Sequence, residues 1–185
     1  GKFFTPEHLR GLWLGARVRL DGNRLRVTQV EANSPAAKAG LRTGDTVLEV
    51  NEKPVADFVE WARETAGRGK EKLSLKIFRG GRVVTTNLTL LQEEQVFNSK
   101  VIEERLGLTV RTLTKDLAEQ LGLSFYGGYL ITKVAARGPG AEAGLEAGAV
   151  IQRVDDSQPQ SLMAFARDIH GRETNDPVRL SVVWE

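Results

Sequence analysis

An eleven-residue stretch occurs twice in this chain. Ser34-Pro35-Ala36-Ala37-Lys38-Ala39-Gly40-Leu41-Arg42-Thr43-Gly44 recurs 104 positions later as Gly138-Pro139-Gly140-Ala141-Glu142-Ala143-Gly144-Leu145-Glu146-Ala147-Gly148. Six of the eleven positions are identical and the glycines fall in register. Upstream lies a second echo, Trp13-Leu14-Gly15-Ala16-Arg17-Val18-Arg19 against Arg105-Leu106-Gly107-Leu108-Thr109-Val110-Arg111, at an offset of 92. Two echoes in the same order divide the 185 residues into two similar domains. The expected boundaries are 1–11 for an N-terminal linker segment, 12–91 for the first domain, 92–104 for a polar, acid-rich linker, and 105–185 for the second domain. About 80 residues each suffices for one small core.

Local patterns repeat as well. Leu14, Ala16, Val18 and Leu20 alternate with Arg17 and Arg19, which predicts a half-buried strand. Asp21-Gly22-Asn23 predicts a tight turn into a second strand over 25–30. Ser34, Pro35 and Gly40 suit the cap, first residue and end of a short helix. A strand over 46–50 follows, then a longer helix capped by Asp57, with Phe58, Trp61, Ala62 and Thr65 at helical spacing and Gly67 and Gly69 at its end. Two strands joined by Gly80-Gly81 complete the copy. The second copy adds a helix over 115–121, capped by Thr114 and ended by Gly122. Its long helix starts at Ser161 with Leu162, Phe165, Ala166 and Ile169 on one face, and it has no counterpart of the first copy's last strand.

These residues resemble a known family. Ser34-Pro35-Ala36-Ala37, Ala39-Gly40-Leu41 and Gly44-Asp45, then a strand, Asn51, Pro54, a helix and a hairpin, are similar to a bacterial PDZ domain. Arg10-Gly11-Leu12-Trp13-Leu14-Gly15, and Arg105 to Leu108 with Asp116 to Leu123 downstream, resemble the HtrA/Deg (DegP-like) serine protease family. The resemblance implies an α+β fold of two PDZ-like domains, each a small, partly open antiparallel barrel or sandwich with one short and one longer helix. It also implies a peptide-binding module that regulates, or delivers substrate to, a protease domain in cis. The alternative is a scaffold that assembles a membrane-associated or extracytoplasmic complex. The implied partners are C-terminal or extended hydrophobic peptides, with a homo-oligomer for the full-length protein, and the implied compartment is periplasmic or otherwise extracytoplasmic. Copy two departs from the pattern, with Gly138 for Ser34 and Ala149 for Asp45.

A module of this kind takes a partner's C-terminal strand onto a sheet edge, so it needs free backbone groups, an anion nest and an apolar pocket. The expected peptide-binding residues are Leu14, Gly15, Ala16, Val18, Phe58, Trp61 and Ala62 in copy one. In copy two they are Leu106, Gly107, Leu108, Val110, Leu162, Phe165 and Ile169. For each apolar position the competing expectation is plain core.

Composition narrows the chemistry. No cysteine means no disulfide, thiolate nucleophile or cysteine-ligated metal, and His8 and His170 alone cannot build a three-histidine centre. Ser74, Ser99, Ser124 and Ser181 stand in no glycine-rich turn, and no Gly-x-Ser-Gly stretch occurs. No catalytic residue, metal or cofactor is expected, and the chain reads as a non-catalytic fragment of a serine endopeptidase. Asp155 and Asp156 read as a solvated turn. Arg17, Arg19, Arg24 and Arg26 share one hairpin face, which would attract acidic peptides or nucleic acid. The ordinary reading is a charged surface, and no nucleic-acid partner is expected.

Overall fold

A computed structural model describes residues 11–65 and 72–184. The terminal segment with His8, and Gly67 and Gly69 at the end of the first long helix, lie outside the described residues. The chain forms two compact units that divide between Glu93 and Glu94.

In the first unit a short strand β1 (Leu12–Trp13) precedes a hairpin of β2 (Ala16–Asp21) and β3 (Arg24–Val30). Helix α1 (Pro35–Lys38) is started by Ser34, whose Oγ accepts from the Ala37 N–H at 3.1 Å. Strand β4 (Thr46–Val50) and the two-residue β5 (Lys53–Pro54) lead to helix α2 (Phe58–Thr65). Asp57 caps α2 by accepting from the N–H groups of Val59 and Glu60, both at 2.8 Å. Strands β6 (Lys72–Arg79) and β7 (Arg82–Thr89) form the closing hairpin, and β8 (Leu91–Gln92) pairs with β1. The sheet runs β2-β3-β4-β6-β7 with antiparallel neighbours, so β2 and β7 are its edges and no barrel closes. One core takes side chains from nearly every element, Leu14, Ala16, Val18, Leu25, Trp61, Leu75 and Leu88 among them.

The start of β4 and the end of β6 are tied by an ion pair between a buried carboxylate and a partly exposed guanidinium. The Asp45 carboxylate accepts from Arg79 Nε (2.7 Å) and Nη2 (2.6 Å) and from the Arg42 N–H (2.8 Å). Burial alone would push the Asp45 carboxyl up, but the hydrogen bonds from Arg79 and the Arg42 N–H outweigh it and hold it below its ordinary value.

Helix α3 (Glu93–Val96) spans the division, and α4 (Ser99–Leu106) follows in the second unit. This corrects the expected exposed linker over 92–104. Ile102 and Leu106 stand one turn apart and are buried, as is Phe97, so the charged residues around them form the outer face of a packed helix. Strand β9 (Leu108–Thr112), helix α5 (Lys115–Leu121) and strand β10 (Tyr129–Val134) follow. Then come α6 (Pro139–Glu142), β11 (Val150–Val154), α7 (Leu162–His170) and β12 (Leu180–Val183). The sheet order is β12-β11-β10-β9. As Gly138 has no side chain, α6 lacks a side-chain cap. Asp155 is more than a solvated turn. It accepts from the Arg179 N–H (2.9 Å) and Arg172 Nη2 (2.6 Å), which lowers its pKa.

Candidate functional site

The site in copy one starts from the loop 11–15. Gly15 sits at φ +75°, and a Cβ built there would lie 2.1 Å from Ser34 Cβ, so only glycine lets the loop close onto the start of α1. Two carbonyls of this loop are used internally. The Leu14 carbonyl accepts from the Ala36 N–H (3.0 Å), and the Gly15 carbonyl accepts from the Glu31 N–H (2.8 Å). Every described peptide bond is trans, so the N–H of Gly15 points opposite to the Leu14 carbonyl and that of Ala16 opposite to the Gly15 carbonyl. Both donors therefore face away from α1 and β3. Consecutive outward N–H groups at the head of a sheet-edge strand make an anion nest.

The apolar residues divide into two groups. Leu14, Ala16, Val18 and Trp61 are buried in the common core. Phe58 is 37% exposed and Ala62 is half-buried, so α2 presents them nearer the surface. Two exposed apolar neighbours escaped the sequence reading. Leu20, placed inward by strict alternation, is 42% exposed, and Val59 on α2 is 65% exposed. Leu20 lies beside the two-residue hairpin turn, where the core no longer reaches; no sequence signal marks that limit.

Copy two has a different loop. Gly107, at φ +69°, is the left-handed C-cap of α4, and its N–H donates to the Glu103 carbonyl at 2.9 Å. One of the two expected donors is thus consumed, and the carbonyl end of α4 brings partial negative charge to the loop. Arg105 does not offset this freely, because its Nη2 donates to the carbonyls of Arg172 (2.8 Å) and Glu173 (3.0 Å). Leu106, Leu108, Val110, Phe165 and Ile169 are all buried and Leu162 is half-buried. Phe97, just before α4, packs edge-on against His170 (5.2 Å between centroids) and under Arg167 (5.3 Å), both on α7. His170 is therefore a packing residue. Among the described residues no cluster of three or more His, Cys, Asp or Glu side chains could hold a metal, and no helix is long and apolar enough to cross a membrane.

The family profile described as "PDZ domain" matches residues 26–79. Periplasmic serine endoprotease DegP of Salmonella typhimurium is 31% identical over 160 residues, covering 84% of this chain and 31% of that protein. DegP of Escherichia coli is 31% identical over 142 residues, covering 75% of this chain and 28% of that protein. A probable DegP-like endoprotease of Marinomonas is 29% identical over 174 residues, covering 84% and 36%. The chain thus spans about a third of the length of these relatives. Among solved structures, the HtrA-type protease AlgW with a decapeptide matches at 22% identity, covering 44% of this chain and 29% of that one, with a TM-score of 0.39. The HtrA3 PDZ domain bound to a phage-derived ligand matches at 23% identity over 43% of this chain and 85% of that one, TM-score 0.39.

Fold and site define copy one as a PDZ domain, the part of the chain that the family profile matches. More particularly, the chain resembles the tandem PDZ region of the HtrA/DegP serine endoproteases, and the segment matched is their PDZ portion.

Proposed function

We propose that this chain is a peptide-binding tandem PDZ module in which copy one takes the free C-terminus of a partner protein. The observation that carries this reading is the pair of outward N–H groups of Gly15 and Ala16 at the head of the edge strand β2. The terminal carboxylate sits on those donors, the peptide runs antiparallel along β2, and its last side chain enters between β2 and α2. Leu14, Ala16, Val18 and Trp61 form the floor of that site, with Phe58 and Ala62 at its rim. Burying one apolar side chain contributes about 1.5–3 kcal/mol, and each backbone hydrogen bond adds about 1 kcal/mol net. After ordering costs, a Kd in the micromolar range is expected, a binding free energy of about −8 kcal/mol.

In a longer HtrA/Deg-like protein of the periplasm or another extracytoplasmic space, occupancy of copy one would regulate, or deliver substrate to, a protease domain in cis. Calorimetric titration with paired peptides, one with a free C-terminus and one amidated, tests the reading. Loss of binding on amidation is expected, and equal binding would refute it. Copy two favours a second role. Its expected residues Leu106, Leu108 and Ile169 line a cavity of about 450 Å³, but the Gly107 N–H is spent on the C-cap of α4, which suits assembly of a homo-oligomer or larger complex better than capture of a C-terminal carboxylate. Sedimentation of the chain against concentration tests this, with self-association expected if copy two assembles.

A further inference from the structure

We propose that the C-terminal peptide bound on β2 carries an acidic side chain at the fourth position from its end, read by Arg19. This rests on the peptide-edge reading above and names the ligand class it selects.

Strand parity sets which peptide position meets Arg19. Ala16 and Val18 point into the core, so Arg17 and Arg19 point to the outer face of the sheet. A strand added antiparallel to β2 with its carboxylate at the Gly15–Ala16 donors sets its last residue opposite Ala16. The fourth residue from its end then lies opposite Arg19, facing outward, and the third lies opposite Val18, facing the groove. Directly opposed side chains on one face stand about 4.5–5.5 Å apart at Cβ, within reach of an ion pair.

Arg19 is suited to this task because the protein leaves its charge unanswered. Its partner across the hairpin is Arg26, a like charge directly opposite. Arg26 is paired with Asp21 at 3.2 Å, whereas neither Arg19 nor Arg24 has a carboxylate partner among the described residues. Like charges directly opposed disfavour a hairpin, so the fold tolerates here a local repulsion that an incoming carboxylate relieves. The wider field agrees. Up to Glu93 the chain has 16 basic and 11 acidic residues, and from Glu94 onward it has 10 basic and 13 acidic. The basic surplus lies on the unit that owns this edge, and it steers acidic ligands towards it.

The test uses the 185-residue chain and labelled octapeptides with an apolar last residue, followed by fluorescence anisotropy. One peptide has Glu fourth from the end, one has Gln there, one has Glu moved to the third position, and one is the first peptide amidated. In dilute salt the first should bind about two- to five-fold more tightly than the Gln peptide, the range of an exposed ion pair. High salt should shrink that gap. The isomer with Glu third from the end has the same net charge and should bind more weakly than the Gln peptide. Arg19→Glu should reverse the Glu-over-Gln preference while binding still requires the free carboxylate. Equal affinity for Glu and Gln, with the amidated peptide inactive, overturns the acidic-ligand proposal and leaves the peptide-edge reading standing. Undiminished binding of the amidated peptide overturns both. Displacement of the peptide by a single-stranded oligonucleotide at lower concentration than by the unlabelled peptide would assign the arginine face to nucleic acid and overturn the proposal.

Discussion

Replacing Asp45 by alanine removes the acceptor of three hydrogen bonds at once. Asp45 is 1% exposed, and its oxygens hold Arg79 in a fork at 2.7 and 2.6 Å and the Arg42 N–H at 2.8 Å. Removing one partner of a buried pair costs about 3–5 kcal/mol, because the other charge is left uncompensated. Asp45→Ala falls at the lower end, since the Arg79 side chain is 29% exposed and can regain water. Arg79→Met strands the carboxylate itself, and the upper end is expected. Replacing both should cost less than the sum of the two by about 2 kcal/mol or more, because neither charge is then orphaned.

The chain contains its own precedent. In copy two Val150 pairs with Val183 as Thr46 pairs with Phe78 in copy one, so Ala149 and Trp184 stand where copy one has Asp45 and Arg79. Both members are exchanged together for apolar residues. Urea unfolding at pH 7, followed by the fluorescence of the buried Trp13 and Trp61, gives the three differences, with Trp184→Phe as background to silence copy two. Additivity within about 0.5 kcal/mol would show that the two side chains do not act as a pair, and the reasoning would fail. The pH dependence has a definite sign. The folded-state pKa of Asp45 lies below its ordinary 3.8, so the unfolded chain binds the proton more readily. The pair's contribution is complete above that ordinary value and disappears as pH falls through the lowered one. Asp45→Ala should flatten the acid limb of the stability curve.

The other predictions concern backbone and packing. Gly15→Ala should cost more than about 2 kcal/mol in copy one, because a left-handed φ adds about 1–2 kcal/mol for any side chain and the new Cβ meets Ser34. The equivalent Gly107→Ala has its nearest contact at 3.4 Å and should cost only the backbone term. Thermal unfolding of the two variants compares them, and similar losses would contradict the close approach at Gly15. Gly138→Ser should stabilise copy two by a few tenths of a kcal/mol up to about 1 kcal/mol, by capping α6 and restricting the unfolded chain. A new Cβ there meets nothing closer than 3.6 Å, so a loss in chemical denaturation would refute it. Among the described residues Trp61 Nε1 is buried without a hydrogen-bond partner. Trp61→Phe, which copies Phe165, should therefore cost less than about 2 kcal/mol, against about 3–5 kcal/mol for Trp61→Ala.

Sequence alone carried the repeat and most helix starts. These follow from local rules: Ser34, Asp57, Thr114 and Ser161 each accept from a backbone N–H two or three residues on, and such caps act within one turn. The strand β2 was legible as far as Val18 for a similar local reason, since alternation reports which face a strand buries. The helix α4 was not, because a short apolar pair among charges looks like a linker until α7 is known to lie against it.

The candidate site divides along the same line. That a glycine loop precedes an edge strand is written in Leu14-Gly15-Ala16, and its echo in Leu106-Gly107-Leu108 made the two copies look equivalent. Only tertiary structure separated them. In copy one the carbonyls of Leu14 and Gly15 are bonded inward and the trans peptides turn the next N–H groups out, whereas in copy two the helix α4 takes the Gly107 N–H for its own C-cap. A hydrogen bond between distant backbone groups leaves no mark in side-chain periodicity, so the direction of those donors belongs to the folded chain.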